Sequence, residues 1–210
     1  MRYAPLSMLL AGILAVAGAA DSRPVTVKGS DTMVIMGQRW AEAYMASHPG
    51  AKIQVTGGGS GTGVAALLNG TTDICNASRQ MKERERKQFQ EKYKAEVVET
   101  PVAMDGIGIY VHTSNPLAAL SIAQIKGIYT GKIRNWQDVG GPSGPILLYG
   151  RENNSGTYEF FKEHVLKGKD FAASAQTMPG TAAVLQAVAK DKNGIGYGGA
   201  AYGEGAKHLK

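Results

Sequence analysis

Short turns rich in hydroxyl side chains recur along this sequence of 210 residues, and their composition suits them to binding an anion. Three of them, residues 30–32, 60–63 and 155–157, each stand between a strand candidate and a helix candidate. The first turn of a helix carries unpaired N–H groups and the positive end of the helix dipole, so it holds negative groups well. Each turn alone could be a simple helix cap, but the repetition indicates a shared anion site.

The glycine-rich turn at residues 57–63 reads GGGSGTG, and glycine lets a backbone bend sharply and approach a ligand closely. The spacing of Gly58 and Gly63 matches a nucleotide P-loop, but Val64 stands where that motif requires lysine. The serine-hydrolase motif G-x-S-x-G fails as well, because Thr62 occupies its last glycine position. The loop by itself leaves two interpretations open, a flexible surface turn or an anion site.

A fourth polar turn, Ser78 and Arg79, follows a strand candidate, and Arg151 lies in the polar segment that follows the strand candidate at residues 146–149. Strands alternate with helices, which predicts α/β layers with largely parallel strands. Ligands in such sheets lie at the carboxyl ends of strands, beside helix N-termini. The four turns, which come from both halves of the chain, can therefore converge on one small anion. Arg151 would add a planar, bidentate cationic donor.

The composition argues against several other classes of function. The net charge of +6 is scattered, which does not suit nucleic acid. Cys75 is the only cysteine, so no internal disulfide can form, and we expect its side chain to be a small buried one. The four histidines lack ligand spacing, so we expect no metal and no cofactor. No nucleophile with an evident base is present, so we expect no catalytic residue.

The N-terminus reads as a signal peptide covering residues 1–20. Arg2 precedes an apolar run at residues 6–18, and residues 17–19 fit a small-x-small cleavage site. The run is shorter than the roughly 18–20 residues that span a bilayer. We therefore predict export of a soluble protein.

Hydrophobic patterning divides the remainder into elements and lobes. Met33, Met36, Trp40 and Tyr44 share one helix face, which we expect to be core. We predict a first lobe at residues 21–102, a second at 103–198, and a return towards the first lobe at 199–210. The predicted strands are 25–28, 53–56, 73–77, 96–100, 106–112, 146–149 and 195–197, and the predicted helices are 33–47, 64–68, 82–94, 121–129, 158–165 and 181–189.

The sequence resembles the periplasmic phosphate-binding proteins of high-affinity phosphate ABC transporters. The resemblance runs through nearly all of the chain after the signal peptide and rests on residues 28–33, 57–63, 73–79, 102–108, 131–136, 150–157 and 194–197. It implies a class II periplasmic-binding-protein fold, with two α/β lobes around a ligand cleft and a hinge of two crossovers. It also implies a monomer that binds inorganic phosphate and delivers it to a membrane ABC permease.

Carried over position by position, the resemblance gives a phosphate site. Ser30, Asp31, Gly61, Ser78 and Arg79 belong to the same turns and complete the candidate site. The positions that the resemblance itself marks as contacts are Thr32, the backbone of Met33, Ser60, Arg151, Ser155, Gly156 and Thr157.

Three departures from the family pattern stand out. Some members place a carboxylate near the turn that here holds Ser78 and Arg79, and another acidic position corresponds to Asn153. Asp31 is a favoured helix N-cap residue; our other hypothesis is that it accepts the phosphate proton. The family also continues past Tyr202 with a segment that completes the first lobe, so we expect a shortened C-terminal part, and the chain is then either a shortened family member or an incomplete reading frame.

Two alternative functions remain open within the same fold. One is binding of another tetrahedral oxyanion, such as sulfate or arsenate. The other is a phosphate-sensing or surface protein that has lost transport. A secreted phosphatase is disfavoured, because neither a metal cluster nor an activated nucleophile is apparent.

Overall fold

A computed structural model describes residues 23–202 and 205–210. The predicted signal peptide at residues 1–20 lies outside the described residues. Within the described part of the chain, no helix is long and apolar enough to cross a membrane. The strands form two separate sheets, one of three strands and one of five.

The first sheet has the order β2-β1-β3, and all of its strands are parallel. The turns that follow these strands therefore lie at the same edge of the sheet, at the carboxyl ends of the strands, and each leads to a helix. Its elements in chain order are β1 (Val25–Gly29), a 3-10 turn (Asp31–Met33), α1 (Val34–Ser47), β2 (Ile53–Thr56), α2 (Ser60–Asn69), β3 (Ile74–Asn76) and α3 (Glu83–Tyr93).

The second sheet has the order β6-β5-β7-β4-β8 and is mixed. Strand β5 runs parallel to β6 and β7, whereas β4 runs antiparallel to β7 and β8. Its elements are β4 (Ile107–Val111), α4 (Ile122–Tyr129), β5 (Leu147–Arg151), α5 (Gly156–Phe160) continuing as a π-helical turn (Phe161–Val165), β6 (Gln176–Met178), α6 (Gly180–Lys190), β7 (Gly194–Gly199) and β8 (Lys207–Leu209).

Most of the hydrophobic core belongs to the second sheet. Of the twelve largest fully buried side chains among the described residues, only Val64 comes from the first lobe. The ring of Tyr197 stacks on that of Phe161 at 3.9 Å, and Tyr129 meets both edge-on. The Tyr197 hydroxyl accepts a hydrogen bond from the Arg151 amide at 3.4 Å, and the Tyr129 hydroxyl donates to the Tyr149 carbonyl at 3.4 Å, so the core supports the strand that carries Arg151.

The predicted helix at residues 33–47 is confirmed as the 3-10 turn and α1, but its predicted core face is wrong. Trp40 is 46% exposed and Tyr44 is also exposed, whereas Gly37 and Ala41 are buried. A Cβ on Gly37 would lie 3.2 Å from Val55 Cγ1. The helix therefore packs so closely on the sheet that only small residues fit beneath it.

Two predictions near the lobe connections are also corrected. Residues 96–100 form no strand, and Val98 is 88% exposed. Residues 199–210 do not simply return to the first lobe, because β8 pairs with β4 of the second sheet. Tyr202 reaches back to the first lobe, through a 2.7 Å hydrogen bond from its hydroxyl to the backbone carbonyl of Asp31. Strands β6 and β8 were not predicted from the sequence.

Candidate functional site

Buried polar side chains concentrate where the two lobes meet. Eight polar or charged side chains are buried among the described residues, and six of them lie at the ends of strands or the beginnings of helices. Burial of so many hydrogen-bonding groups in one region is costly unless they have partners. The six are Ser30, Ser60, Arg151, Ser155, Thr157 and Thr181.

Arg151 is the cation of this cluster, and its side chain is only 1% exposed. Its Nη1 donates to Thr181 Oγ1 at 2.9 Å, and its Nη2 donates to Asp31 Oδ2 at 2.6 Å. Its buried Nε has no hydrogen-bond partner among the described residues. An unpaired buried donor on a guanidinium is unusual, and it is available to an anionic ligand.

Asp31 does not cap a helix in this structure. Its Oδ1 accepts a hydrogen bond from the Gly58 amide at 2.8 Å, and its Oδ2 pairs with Arg151. Neither the 3-10 turn nor α1 has a side-chain hydrogen bond at its N-cap. The carboxylate therefore joins the first turn, the glycine-rich loop and the second lobe.

Ser60 and Ser78 form the part of the cluster that comes from the first sheet. The Ser78 amide donates to Ser60 Oγ at 3.0 Å, and the two hydroxyl oxygens lie 3.2 Å apart. Gly156, the first residue of α5, approaches both: a Cβ there would lie 2.5 Å and 2.6 Å from these oxygens. The N-terminus of α5 thus faces the N-terminus of α2 across the lobe boundary.

The remaining predicted positions of the two outer turns also have their places in this structure. Ser30 Oγ lies 2.9 Å from Thr32 Oγ1, and the Met33 amide donates to the Ser30 carbonyl at 3.2 Å. Ser155 caps α5, because its Oγ accepts from the Tyr158 amide at 3.3 Å. Thr157 is buried within the first turn of the same helix.

Two predicted residues are engaged elsewhere. The Gly61 amide donates to the backbone carbonyl of Asn154 at 2.8 Å. Arg79 donates two hydrogen bonds of 2.8 Å to the Glu85 carboxylate, and its Nε lies 3.1 Å from Glu159 Oε2. Burial by itself would raise the pKa of Glu85, but the hydrogen bonds from Arg79 and the Lys82 amide outweigh it and lower that pKa. The structure does not bring the Arg79 guanidinium to the cluster.

Thr181 is a residue of the cluster that the sequence analysis missed. It follows β6 and the residues Pro179 and Gly180, so it repeats the arrangement of strand, short turn and helix. The signal was therefore present in the sequence. It went unnoticed because the three-residue strand β6 has no apolar run that would mark it.

The cluster offers hydrogen-bond donors, one buried guanidinium and one carboxylate, which suits the binding of a small protonated oxyanion. No group of three or more residues of metal-binding type was found within residues 23–202 and 205–210. Cys75 is half-buried, and burial raises the pKa of its thiol to about 11, so it is protonated at neutral pH.

Comparison with known proteins identifies the superfamily to which this fold belongs. The model of the PBP superfamily domain matches residues 15–210. The chain belongs to the PBP superfamily. This match confirms the predicted fold class, and the relatives described next confirm the resemblance stated above.

Individual PBP superfamily members are named for phosphate. The phosphate-binding protein PstS of Pseudomonas aeruginosa is 37% identical over 186 residues, which are 83% of this chain and 58% of that protein. A candidate phosphate ABC transporter substrate-binding protein from Clostridium perfringens, solved with bound phosphate, is 32% identical with a TM-score of 0.83 and aligns with 90% of this chain and 75% of its own. An ABC-type phosphate transport receptor from Vibrio cholerae is 28% identical with a TM-score of 0.65, covering 89% and 75%. The chain thus spans little more than half the length of the curated relative.

Proposed function

We propose that this protein binds inorganic phosphate between its two lobes and delivers it to a membrane ABC permease for import, without catalysing a reaction. The observation that carries the proposal is the buried Arg151 guanidinium, whose Nη1 and Nη2 pair with Thr181 and Asp31 while its Nε lacks a partner among the described residues. The names of the relatives, and the phosphate bound to one of them, support the choice of anion.

Further parts of the proposal follow from the same relatives and from the N-terminal sequence. The protein acts in the periplasm after removal of residues 1–20, and it binds as a monomer without nucleic acid. Phosphate enters the open cleft and is enclosed when the lobes meet. The permease is then the partner that receives it.

Calorimetric titration of the purified protein tests the central claim. We expect one phosphate to bind per chain, sulfate to bind far more weakly, and a chromogenic phosphate ester to survive incubation. Tighter binding of sulfate than of phosphate would indicate the alternative function, binding of another tetrahedral oxyanion. Ester turnover that disappears when Arg151 is replaced would contradict the claim that no reaction is catalysed.

Asp31→Asn tests how phosphate is distinguished from sulfate. Each Asp31 oxygen has one partner in this structure, and a carboxylate oxygen can accept two hydrogen bonds. We propose that a remaining lone pair accepts the proton that phosphate keeps near neutral pH and sulfate lacks. In the wild-type protein, a sulfate oxygen in place of the phosphate hydroxyl would face the Asp31 carboxylate as a second unpaired acceptor, which costs about 1–3 kcal/mol. Asp31→Asn removes this cost, so it should lower the phosphate-to-sulfate affinity ratio by roughly five- to 150-fold.

The competing role for Asp31 is to position Arg151. That role predicts that both anions lose affinity together and that their ratio stays as in the wild-type protein. Titration of both anions against Asp31→Asn at one ionic strength separates the two outcomes.

Gly156→Ala should weaken phosphate binding by blocking contact between the lobes. The new Cβ would overlap Ser60 Oγ and Ser78 Oγ at once, and it would also lie 3.2 Å from Ser60 Cβ. Overpacking of this kind typically costs about 1–3 kcal/mol, which is roughly five- to 150-fold in affinity. The cost falls on the closed state, because alanine fits well in the helix itself.

The matched control for Gly156→Ala is Gly106→Ala, whose Cβ would meet only Ala200, at 3.8 Å. Both variants should keep the wild-type circular dichroism spectrum. Phosphate affinity in Gly156→Ala equal to that of the control would show that the lobes do not approach each other as described.

A further inference from the structure

Asn154 is the residue of the second lobe that enters the glycine-rich loop of the first. Its backbone carbonyl accepts a hydrogen bond from the Gly61 amide at 2.8 Å. Its side-chain Nδ2 donates to the Gly58 carbonyl at 3.1 Å and to Thr62 Oγ1 at 3.0 Å. One residue therefore makes three hydrogen bonds across the lobe boundary.

The loop is shaped to admit this residue. A Cβ on Gly59 would lie 2.8 Å from the Asn154 carbonyl oxygen, and a Cβ on Gly61 would lie 3.1 Å from it. Gly59 also has a φ of +88°, where any other residue is strained. The close approach that these glycines allow is thus made by Asn154, whereas the sequence analysis assigned it to a ligand.

The partners of Asn154 fix the orientation of its amide and separate it from the anion cluster. The Gly58 carbonyl can only accept a hydrogen bond, so the amide nitrogen must face it. None of the three hydrogen bonds uses Arg151, Ser60 or Ser155. Contacts between the lobes that do not touch the ligand add to the stability of the closed state alone.

We propose that Asn154 is a positioning residue that holds the two lobes together over the anion and slows its release. This rests on the proposed function only in taking phosphate as the anion. The donors around the site are buried, so an anion among them leaves when the lobes separate. A contact made only in the closed state acts on the dissociation rate and leaves association nearly unchanged.

The test compares Asn154→Ala with Gln137→Ala. Gln137 also carries a side-chain amide in the second lobe, is exposed, and makes none of the three hydrogen bonds. Stopped-flow measurement with phosphate should show dissociation about tenfold faster in Asn154→Ala, with association within about twofold of wild type. Gln137→Ala should match the wild-type protein in both rates. The phosphate-to-sulfate ratio should be the same in all three proteins.

Amide hydrogen exchange supplies a readout that does not require phosphate binding. Peptides covering residues 57–63 should exchange faster in Asn154→Ala than in Gln137→Ala, measured with and without phosphate at matched thermal stability. Asn154→Asp keeps nearly the same side-chain size but puts an oxygen against the Gly58 carbonyl. The same peptides should therefore exchange in Asn154→Asp at least as fast as in Asn154→Ala. A wild-type protein that fails to bind phosphate would contradict the proposed function, and the exchange comparison would then decide the role of Asn154 by itself. Equal exchange and equal dissociation in the two alanine variants would overturn the proposal.

Discussion

Replacing Arg151 with alanine is expected to weaken phosphate binding by about 100- to 10,000-fold. The guanidinium has five N–H groups, and Thr181 and Asp31 each accept from one, while Nε has no partner among residues 23–202 and 205–210. Two hydrogen bonds to a charged ligand, each worth about 1.5–3 kcal/mol, account for the expected range. The loss also leaves the Asp31 carboxylate unpaired beside an anion, which adds repulsion.

A set of companion variants separates these contributions. Arg151→Lys should recover only part of the affinity, because lysine lacks the planar fork. The double variant Arg151→Ala/Asp31→Asn should bind sulfate more tightly than Arg151→Ala alone, because the charge that lost its cationic partner is gone and sulfate has no proton for Asp31 to accept. Arg84→Ala, on the exposed surface of α3, should bind as the wild-type protein does. Titration calorimetry checks all four, and unchanged affinity in Arg151→Ala would show that Arg151 lies outside the site.

Arg79→Met is expected to lower the free energy of unfolding by about 3–5 kcal/mol, because it leaves the buried Glu85 carboxylate without its cationic partner. Arg79 and Glu85 are only 10% and 12% exposed, and Glu159 of α5 lies against the same guanidinium. Arg39→Met is the matched control, because Arg39 is 78% exposed and its pair with Glu42 is screened by water. The control should lose no more than about 1 kcal/mol. Urea denaturation of the two variants measures the difference.

Phosphate titration of Arg79→Met adds the second half of this test. Arg79 was predicted to belong to the candidate site because it lies in one of the polar turns, whereas the structure directs its guanidinium to Glu85 and Glu159. A structural role predicts a large loss of stability and less than a tenfold change in affinity below the unfolding range. If Arg79→Met unfolds with the wild-type free energy but loses as much phosphate affinity as Arg151→Ala, Arg79 is a residue of the phosphate site.

Local sequence was enough to predict most of the helices and strands, because hydrophobic period and turn residues are properties of a few neighbouring positions. Ser121 illustrates this: its capping box with Gln124 begins α4 as predicted. The turns that carry Ser60 and Ser155 were likewise predicted at the beginnings of helices, and both residues begin or cap one. The strand predicted at residues 96–100 failed because a strand also needs a hydrogen-bonding neighbour, which the pattern of one segment cannot reveal.

The roles of the charged residues were decided by tertiary structure. From the sequence, Asp31 suits a helix cap and a proton acceptor equally well. In the structure its carboxylate pairs with Arg151, which is 120 positions away. Arg79 lies beside a predicted site turn, yet Glu85 and Glu159 draw its guanidinium aside. A charged side chain pairs with whichever opposite charge the packing of the lobes brings within a few ångströms. The sequence by itself therefore determined where donors for an anion stand along the chain, and only the approach of the two lobes determined which of them face one another.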